Sequence, residues 1–230
     1  MKKIFIYLTI AAFIMNILGG CSENEAIKED LIGTWNLSQG YVMDMTWESS
    51  GSITIDGLVL PTSAIAGIAT EYCNAQLREK MKSLTFREND NLEVAYLDDG
   101  TGNWKTDIIG TYKLISRNKF QFYPDEKRLL EDIGGMAGSP LVSEIKALAA
   151  TTGFSVNFTF IGQNASRIRF YLDTKTMKEG GKVIVPMLYS LIFGDSVDDD
   201  ILQILQDELP GLLEKTDKME IGFSFSKENN

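Results

Sequence analysis

The stretch 154-FSVNFTFIGQNASRIRFYL-172 contains the strongest periodic signal in the chain. Every second residue is apolar from Phe154 to Phe160 and again from Ile168 to Leu172, which is the pattern of strands with one buried face. Gly162, Gln163 and Asn164 form a turn-like cluster between them. The stretch therefore predicts an antiparallel β-hairpin.

Weaker alternation recurs along the rest of the chain and predicts further short strands. Most of these segments follow one another through turn-like residues, so each strand is expected to pair with its neighbour in sequence. About ten short strands in sequential hairpins predict an antiparallel meander that closes into a barrel. The further predicted strands are Gly33 to Leu37, Tyr41 to Trp47, Ser52 to Ile55, Leu84 to Arg87, Leu92 to Leu97, Ile108 to Ile115, Lys119 to Tyr123 and Met219 to Phe225.

Three segments have helical spacing instead, and they interrupt the meander near 61–82, 125–150 and 175–214. Pro61 suits the first turn of the first helix. The aspartates 198–200 suit the start of a later helix, where the helix dipole favours carboxylates, and this capping role is preferred over a calcium site. The predicted fold class is therefore mainly β with α insertions, the helices packing on the barrel or capping it.

The run from Val183 to Phe193 is apolar on all sides, so it must be buried or covered. Two interpretations stay open. The run fills the core, or it forms a lid over the barrel mouth and lines a pocket for an apolar ligand.

The composition excludes several classes of function. With 22 basic and 32 acidic residues the net charge is −10, which disfavours nucleic acid as a partner. Histidine is absent, which removes the commonest general base and the usual zinc ligand. Besides Cys21 the only cysteine is Cys73, so no disulfide is expected within the domain. We predict no catalytic residue, no metal site and no cofactor.

The N-terminal residues 1–20 have the pattern of an export signal, because Lys2 and Lys3 precede an apolar run. The run ends in Leu-Gly-Gly-Cys and resembles the bacterial lipobox, in which the cysteine receives lipid, including palmitate-type acyl chains. The resemblance implies cleavage before Cys21 and a lipid anchor on that residue. Residues 21–30 are polar and acidic, as expected of a tether. A single domain is expected from 31 to 230.

The segment Leu31-Ile32-Gly33-Thr34-Trp35 resembles the lipocalin and wider calycin signature. That resemblance implies a calycin-like barrel with Gly33 and Trp35 at its base. A lipobox, an acidic tether and this motif together resemble uncharacterised lipocalin-like lipoproteins of Bacteroidetes. This resemblance implies the cell envelope, with the outer membrane as the expected location and both periplasmic and surface-facing display left open. Lipocalins pack an arginine or lysine on the tryptophan, and the basic residues near the last strands are Arg167, Arg169 and Lys227.

The leading functional hypothesis is a membrane-anchored, non-enzymatic binding module for a small apolar ligand. One alternative is an envelope interaction module that docks on another protein while its barrel stays filled. Another is a glycan or lipid hydrolase, which would need two facing carboxylates at ~5–9 Å. A cavity, an exposed apolar patch, or such a carboxylate pair would discriminate among the three.

Overall fold

The computed structural model describes residues 27–55, 58–98, 100–125, 127, 153–162, 165–181, 185 and 199–227. Cys21, nearly all of 125–150 and all of the apolar run 183–193 except Val185 lie outside these ranges. The strands are β1 Gly33–Leu37, β2 Met43–Ser49, β3 Ser52–Ile55, β4 Leu58–Pro61, β5 Met81–Phe86, β6 Asn91–Asp98, β7 Asn103–Ser116, β8 Lys119–Pro124, β9 Phe154–Ile161, β10 Arg167–Leu172 and β11 Thr216–Lys227. The helices are α1 27–31, α2 Thr62–Lys80, α3 174–181 and α4 Asp199–Glu214.

Eight strands close into an antiparallel barrel in the order β1-β5-β6-β7-β8-β9-β10-β11, and β11 pairs back with β1. Closure joins residues almost 200 positions apart, for example Trp35 with Lys227. The hairpin predicted at the start is β9–β10, with Phe158 opposite Phe170. The predicted mainly β fold with a closed antiparallel meander and packed helices is confirmed, and it is consistent with a calycin-like barrel.

Strand β2 is a ninth strand of the sheet, and it continues the line of β1 along their common neighbour, β11. β11 pairs with β1 through 225–227 and with β2 through 216–223. Between the two, Ser38 donates its amide to Ser224, and the Ser224 amide donates to Val42. Residues 39–41 form a detour in which Gly40 takes a φ of +104°, a conformation suited to glycine. Beyond the detour β2 runs along β11, and α2 packs against the other edge of β2.

The meander gives the barrel two different ends. At the end where β1 begins, which we call the base, the connections are the short segments 87–90, 117–118 and 162–166. The opposite end receives β2 to β4 with α2, the segment between β8 and β9, and the segment that contains α3 and α4. We call it the helix end, because every long insertion leaves the barrel there.

Aromatic side chains fill the barrel at the base. Phe86 lies 4.9 Å from Tyr112 and 5.4 Å from Phe170 between ring centroids, and Phe120 lies 6.0 Å from Phe158. Offset and edge-to-face contacts at such separations favour rings beyond their simple burial. This set, which we call the aromatic core, consists of Trp35, Phe86, Tyr112, Phe120, Phe158, Phe170 and Phe225.

A second apolar cluster lies at the helix end, where the barrel meets the helices; we call it the helix-end core. Among the described residues, each buried side-chain nitrogen and oxygen has a hydrogen-bond partner. The part of the interior that is described is thus packed and paired, as protein cores generally are. The helix-end core consists of Met43, Trp47, Ile53, Ala66, Cys73, Phe154, Leu172, Met177, Leu209, Leu212, Leu213, Met219 and Ile221.

On the outer wall, Arg169 of β10 joins three strands. Its guanidinium donates to Asp44 of β2 through Nε at 3.0 Å and also through Nη2, and Nη2 contacts Glu220 of β11 at 2.8 Å. It lies flat over Gly222, where an added Cβ would be 2.2 Å from Nη2. Both carboxylates raise the pKa of Arg169, first through the hydrogen bond to Asp44. The absence of a side chain at Gly222 therefore makes room for an ionic contact that fastens β2 to the barrel.

We expect the substitution Gly222→Ala to lower the free energy of unfolding by about 1–2 kcal/mol, because the methyl group would displace the guanidinium from its partners. The expected cost of Arg169→Ala alone is about 1 kcal/mol. Both changes act on one contact. The loss of unfolding free energy measured by urea for the double variant should therefore be much smaller than the sum of the two single losses. Additive losses would show that Gly222 acts independently of Arg169.

Candidate functional site

The base of the barrel is closed by Trp35. Its side chain is 0% exposed, and Nε1 donates to the carbonyl of Leu31 at 2.8 Å. Lys227 places its ammonium 5.2 Å from the indole ring and donates to the carbonyl of Asp30 at 2.8 Å. Of the three basic residues considered from the sequence, Lys227 is the one on Trp35, while Arg169 lies on the outer wall.

Gly33 begins β1 with a φ of +125°, which residues with a side chain rarely adopt. An added Cβ would find Lys227 Cε at 3.5 Å, an ordinary contact distance. The resemblance to the lipocalin motif implies that this glycine lets the strand start without a side-chain clash, and the 3.5 Å separation does not show such a clash. Glycine is therefore suited to this position because of the backbone conformation, and not because a side chain would lack space.

Helix α1 fixes the point at which the chain enters the barrel. Lys28 forms an ion pair with Asp90 of the 87–90 turn at 2.6 Å, and the Ile32 amide donates to the Lys28 carbonyl. The segment 27–31 is therefore held at the base. The predicted lipid-attachment residue, Cys21, lies six positions before Ile27 and outside the described residues.

An open groove of about 540 Å³ lies beside this entry point, on the outer surface. Its lining is mixed: Thr34 and Thr85 share a hydroxyl contact at 3.1 Å, and Arg87 pairs with Glu93 at 2.7 Å. These polar groups already satisfy one another across β1, β5 and β6. The groove has neither the depth nor the apolar lining of an enclosed ligand pocket.

At the helix end, α2 completes the outer edge of β2. The Asn74 side chain is buried; its Oδ1 accepts from the amides of Val42 at 2.7 Å and Met43 at 2.9 Å, and its Nδ2 donates to the Met43 carbonyl at 2.7 Å. Further along, Thr62 Oγ1 donates to the Trp47 carbonyl at 3.2 Å. Two helix side chains thus replace part of a missing neighbouring strand.

The sequence analysis missed Asn74, although one signal was available. The residue is a lone amide next to Cys73, within the predicted helical segment 61–82, where apolar residues recur on one face. A buried amide must pair all its polar atoms, so its presence on such a face indicates backbone groups opposite it. Cys73 itself is buried, and burial raises the pKa of its thiol, so it is kept in the neutral form.

Exposed apolar side chains gather on the β4–α2 segment and on the loop before β2. Ile68 and Tyr72 lie one turn apart on α2 and are 61% and 43% exposed. Tyr41 is 65% exposed and its hydroxyl donates to Glu71 of α2 at 3.1 Å. Leu58 and Val59 of β4 are also exposed. Exposed apolar residues on neighbouring elements are typical of interaction surfaces.

The tip of the β6–β7 hairpin carries a polar cluster. Tyr96 donates its hydroxyl to Asp107 Oδ2 at 2.6 Å, and Lys105 pairs with Asp98. Asp98 also accepts from the amide and hydroxyl of Thr101 at 2.8 and 2.7 Å, which makes it the turn-forming residue of the tip. The structure thus gives Asp98 a role in the turn between β6 and β7.

The Asp98 carboxyl is expected to stay ionised to about pH 2. The hydrogen bonds from Lys105 and then Thr101 lower its pKa to about 2. Because the folded pKa is depressed, this contact stabilises the fold at higher pH, and the stabilisation is lost as pH falls from the ordinary aspartate range towards 2. Carboxyl NMR of a Lys105→Met variant should show the Asp98 pKa moving back towards its usual value. An unchanged titration would contradict the assignment.

Two described carboxyl groups, Asp98 and Asp173, have pKa values shifted away from that of a general acid. A general acid needs a raised pKa, whereas the pKa values of Asp98 and Asp173 are lowered. At Asp173 burial raises the pKa, but the amide and hydroxyl of Thr176 and the Asn157 amide outweigh it. Asp173 acts as the N-cap of α3, with the Thr176 amide at 2.8 Å from Oδ1. Among the described residues, no group of three cysteine or acidic side chains is arranged to hold a metal ion.

Comparison with protein-family models, with curated proteins and with solved structures returned no match. Within the described part of the chain, no helix combines the length and the apolar character that crossing a membrane requires. The function must therefore be argued from the barrel itself.

Proposed function

We propose that this chain is a lipid-anchored, non-catalytic envelope protein that acts through its surface, as an interaction module on a filled barrel. The observation that carries this proposal is the aromatic core. Seven ring-bearing side chains occupy the interior at the base, so the part of the barrel that they fill has no room for a small molecule. The described barrel is thus a rigid support.

The position of the tether supports the helix end as the recognition end. Residues 27–31 are held at the base by Lys28 and Lys227. Ile27 lies six positions after Cys21, and an extended chain spans at most about 20 Å over six positions. A lipid on Cys21 would keep the base near the membrane and direct the helix end away from it.

The first experiment concerns the anchor. We expect cells that express the chain to incorporate a labelled palmitate analogue into it, and we expect Cys21→Ser to abolish both the label and membrane attachment. Cys73→Ser is the matched control and should retain both. A Cys21→Ser protein that stays in the membrane fraction would contradict a lipid anchor.

The second experiment concerns the recognition end. A photo-crosslinking residue at Ile68, on the exposed face of α2, is expected to give a discrete adduct in intact cells. The same residue at Ile115 is the control, since this side chain is also exposed but lies near the base. Equal adducts at both positions, or none at Ile68, would count against a recognition surface at the helix end.

Binding of a small apolar ligand is a second candidate, and one observation favours it. The helix-end core contains Met43, Met177 and Met219, and methionine packs adaptably around varied shapes. Val185, from the apolar run, packs on this cluster. A ligand would therefore lie between barrel and helices, above the aromatic core. Native mass spectrometry of protein purified from its source is the test, and a stoichiometric small molecule of defined mass would favour this candidate over docking.

A further inference from the structure

The exposed large apolar side chains of the described residues fall into two groups. One is the group on β4, α2 and the loop before β2. The other lies on β7, where Trp104, Ile108 and Ile115 are 50%, 47% and 50% exposed. Around the closed barrel, β7 lies across from β11, the strand that pairs with β2, and α2 packs on β2. The two groups are therefore on different sides of the barrel.

The outward side chains of β7 form one continuous face, which we call the β7 face. Tyr112 is buried in the aromatic core, so its two neighbours on β7 point outward. Nearer the helix end Ile108 pairs with Glu93, the neighbour of the buried Leu92, so Ile108 also points outward. The alternate positions of both stretches are all exposed and cover about 35 Å of strand. They are Trp104, Thr106, Ile108, Thr111, Lys113 and Ile115.

The hairpin of β7 and β8 is basic, although the chain has a net charge of −10. Residues 103–124 contain four basic side chains and one acidic side chain. Residues 199–220, which include α4 and the first part of β11, contain seven acidic and two basic ones. Lys113 lies on the β7 face, and Arg117 is exposed in the adjoining turn at the base. The β7 face thus combines apolar side chains with positive charge.

The tether begins beside this face. Lys28 of α1 pairs with Asp90 at 2.6 Å, and the Asp90 carbonyl accepts from the Tyr112 amide of β7 at 2.8 Å. The chain that leads back to Cys21 therefore starts next to β7, and six extended positions span at most about 20 Å. A lipid on Cys21 would bring the membrane surface within reach of the base end of the β7 face.

We propose that the β7 face rests on the anionic lipid surface of the membrane to which Cys21 is anchored. Tryptophan and aliphatic side chains favour the interfacial region of a bilayer, and lysine and arginine are attracted to anionic headgroups. The proposal rests on the anchor, because so few apolar side chains bind a membrane weakly unless a tether raises their local concentration. The anchor alone leaves the barrel upright on its base. Contact along β7 tilts the barrel and turns the side with β2 towards the solvent.

The test uses the chain from Cys21 onward, which contains every described element, coupled through Cys21 to a maleimide lipid in vesicles. Cys73 is buried and should not react. Chemical coupling makes the result independent of lipidation in cells, so failure of this proposal is distinguished from failure of the anchor. Trp35 and Trp47 are buried, so Trp104 is the tryptophan open to quenching by brominated acyl chains. We expect strong quenching in vesicles of phosphatidylglycerol and phosphatidylcholine, and much less in phosphatidylcholine alone.

Moving the tryptophan tests which side of the barrel meets the lipid. Trp104→Phe should remove the quenching by brominated lipid. Adding Ile115→Trp to that variant should restore it, because residue 115 lies on the β7 face. Adding Ile68→Trp instead places the reporter on the exposed face of α2 and should restore little. Equal quenching at positions 68 and 104, or none at 104, would overturn the proposal.

Charge reversal tests the recognition of anionic lipid. Lys113→Glu should lower the equilibrium constant of the contact, obtained from the quenching, by about 10-fold. Lys218→Glu makes the same change of net charge on β11, across the barrel, and should have little effect. Equal effects of the two variants, or equal quenching in both kinds of vesicle, would show that the β7 face does not select anionic lipid. A discrete protein adduct from a photo-crosslinker at Ile115, in place of lipid adducts, would assign the face to a protein and contradict the proposal.

Discussion

Replacement of Trp35 by alanine is expected to lower the free energy of unfolding by about 3–5 kcal/mol. The indole is completely buried, contacts the aromatic core and closes the base. Its removal leaves a cavity, the unpaired carbonyl of Leu31 and a lysine, Lys227, whose ring partner is gone. Urea unfolding of the chain from Ser22, followed by circular dichroism, measures the loss.

Two controls define the origin of that loss. Trp35→Phe keeps most of the ring volume but loses the hydrogen bond to Leu31, so an intermediate cost of about 1–3 kcal/mol is expected. Trp104→Ala removes the same kind of side chain from an exposed position and should cost less than about 0.5 kcal/mol in a monomer. Equal losses at 35 and 104 would contradict the role of Trp35 at the base.

The barrel could be predicted because its signal is local. Alternation depends only on which side of a strand faces the core, and the bounds of β1 and β3 agree with the sequence prediction residue for residue. Helix α2 falls within the predicted 61–82 segment. Closure of the barrel was predicted from the number of strands. The pairing that closes it, between β1 and β11, joins parts of the chain that are far apart in sequence.

The two ends of the barrel could have been distinguished from the same pattern. In an antiparallel meander, alternate connections lie at the same end. The predicted insertions near 61–82, 125–150 and 175–214 all fall in odd-numbered connections between the predicted strands, so they are expected at the same end of the barrel. The insertions were predicted from the sequence, but the end of the barrel that they share was found only from the topology.

Features that depend on distant partners were missed. Trp104 lies before the predicted strand Ile108 to Ile115, but β7 begins five residues earlier than predicted and includes this exposed side chain. Strand β4 was not predicted, since its neighbouring apolar residues Leu58, Val59 and Leu60 do not alternate. The role of Arg169 required the positions of Asp44 and Gly222, which are set by three strands at once.

Asn74 provides the second large expected effect. Asn74→Ala should lower the free energy of unfolding by about 3–5 kcal/mol, because it leaves the buried amides of Val42 and Met43 and the Met43 carbonyl without partners, each at a cost of about 1–3 kcal/mol. Urea unfolding gives the total. Hydrogen exchange should also show faster exchange of the Val42 and Met43 amides than of β9 and β10.

The contribution of hydrogen bonding at Asn74 can be separated from that of packing. Asn74→Leu fills a similar volume without polar atoms, so a loss of at least about 2 kcal/mol should remain if the backbone groups of β2 depend on the amide. Glu79→Ala, on the exposed side of α2, should have almost no effect. A leucine variant as stable as the original would mean that α2 holds β2 by apolar contact alone. In that case the position of β2 between β11 and α2 would need no polar anchor.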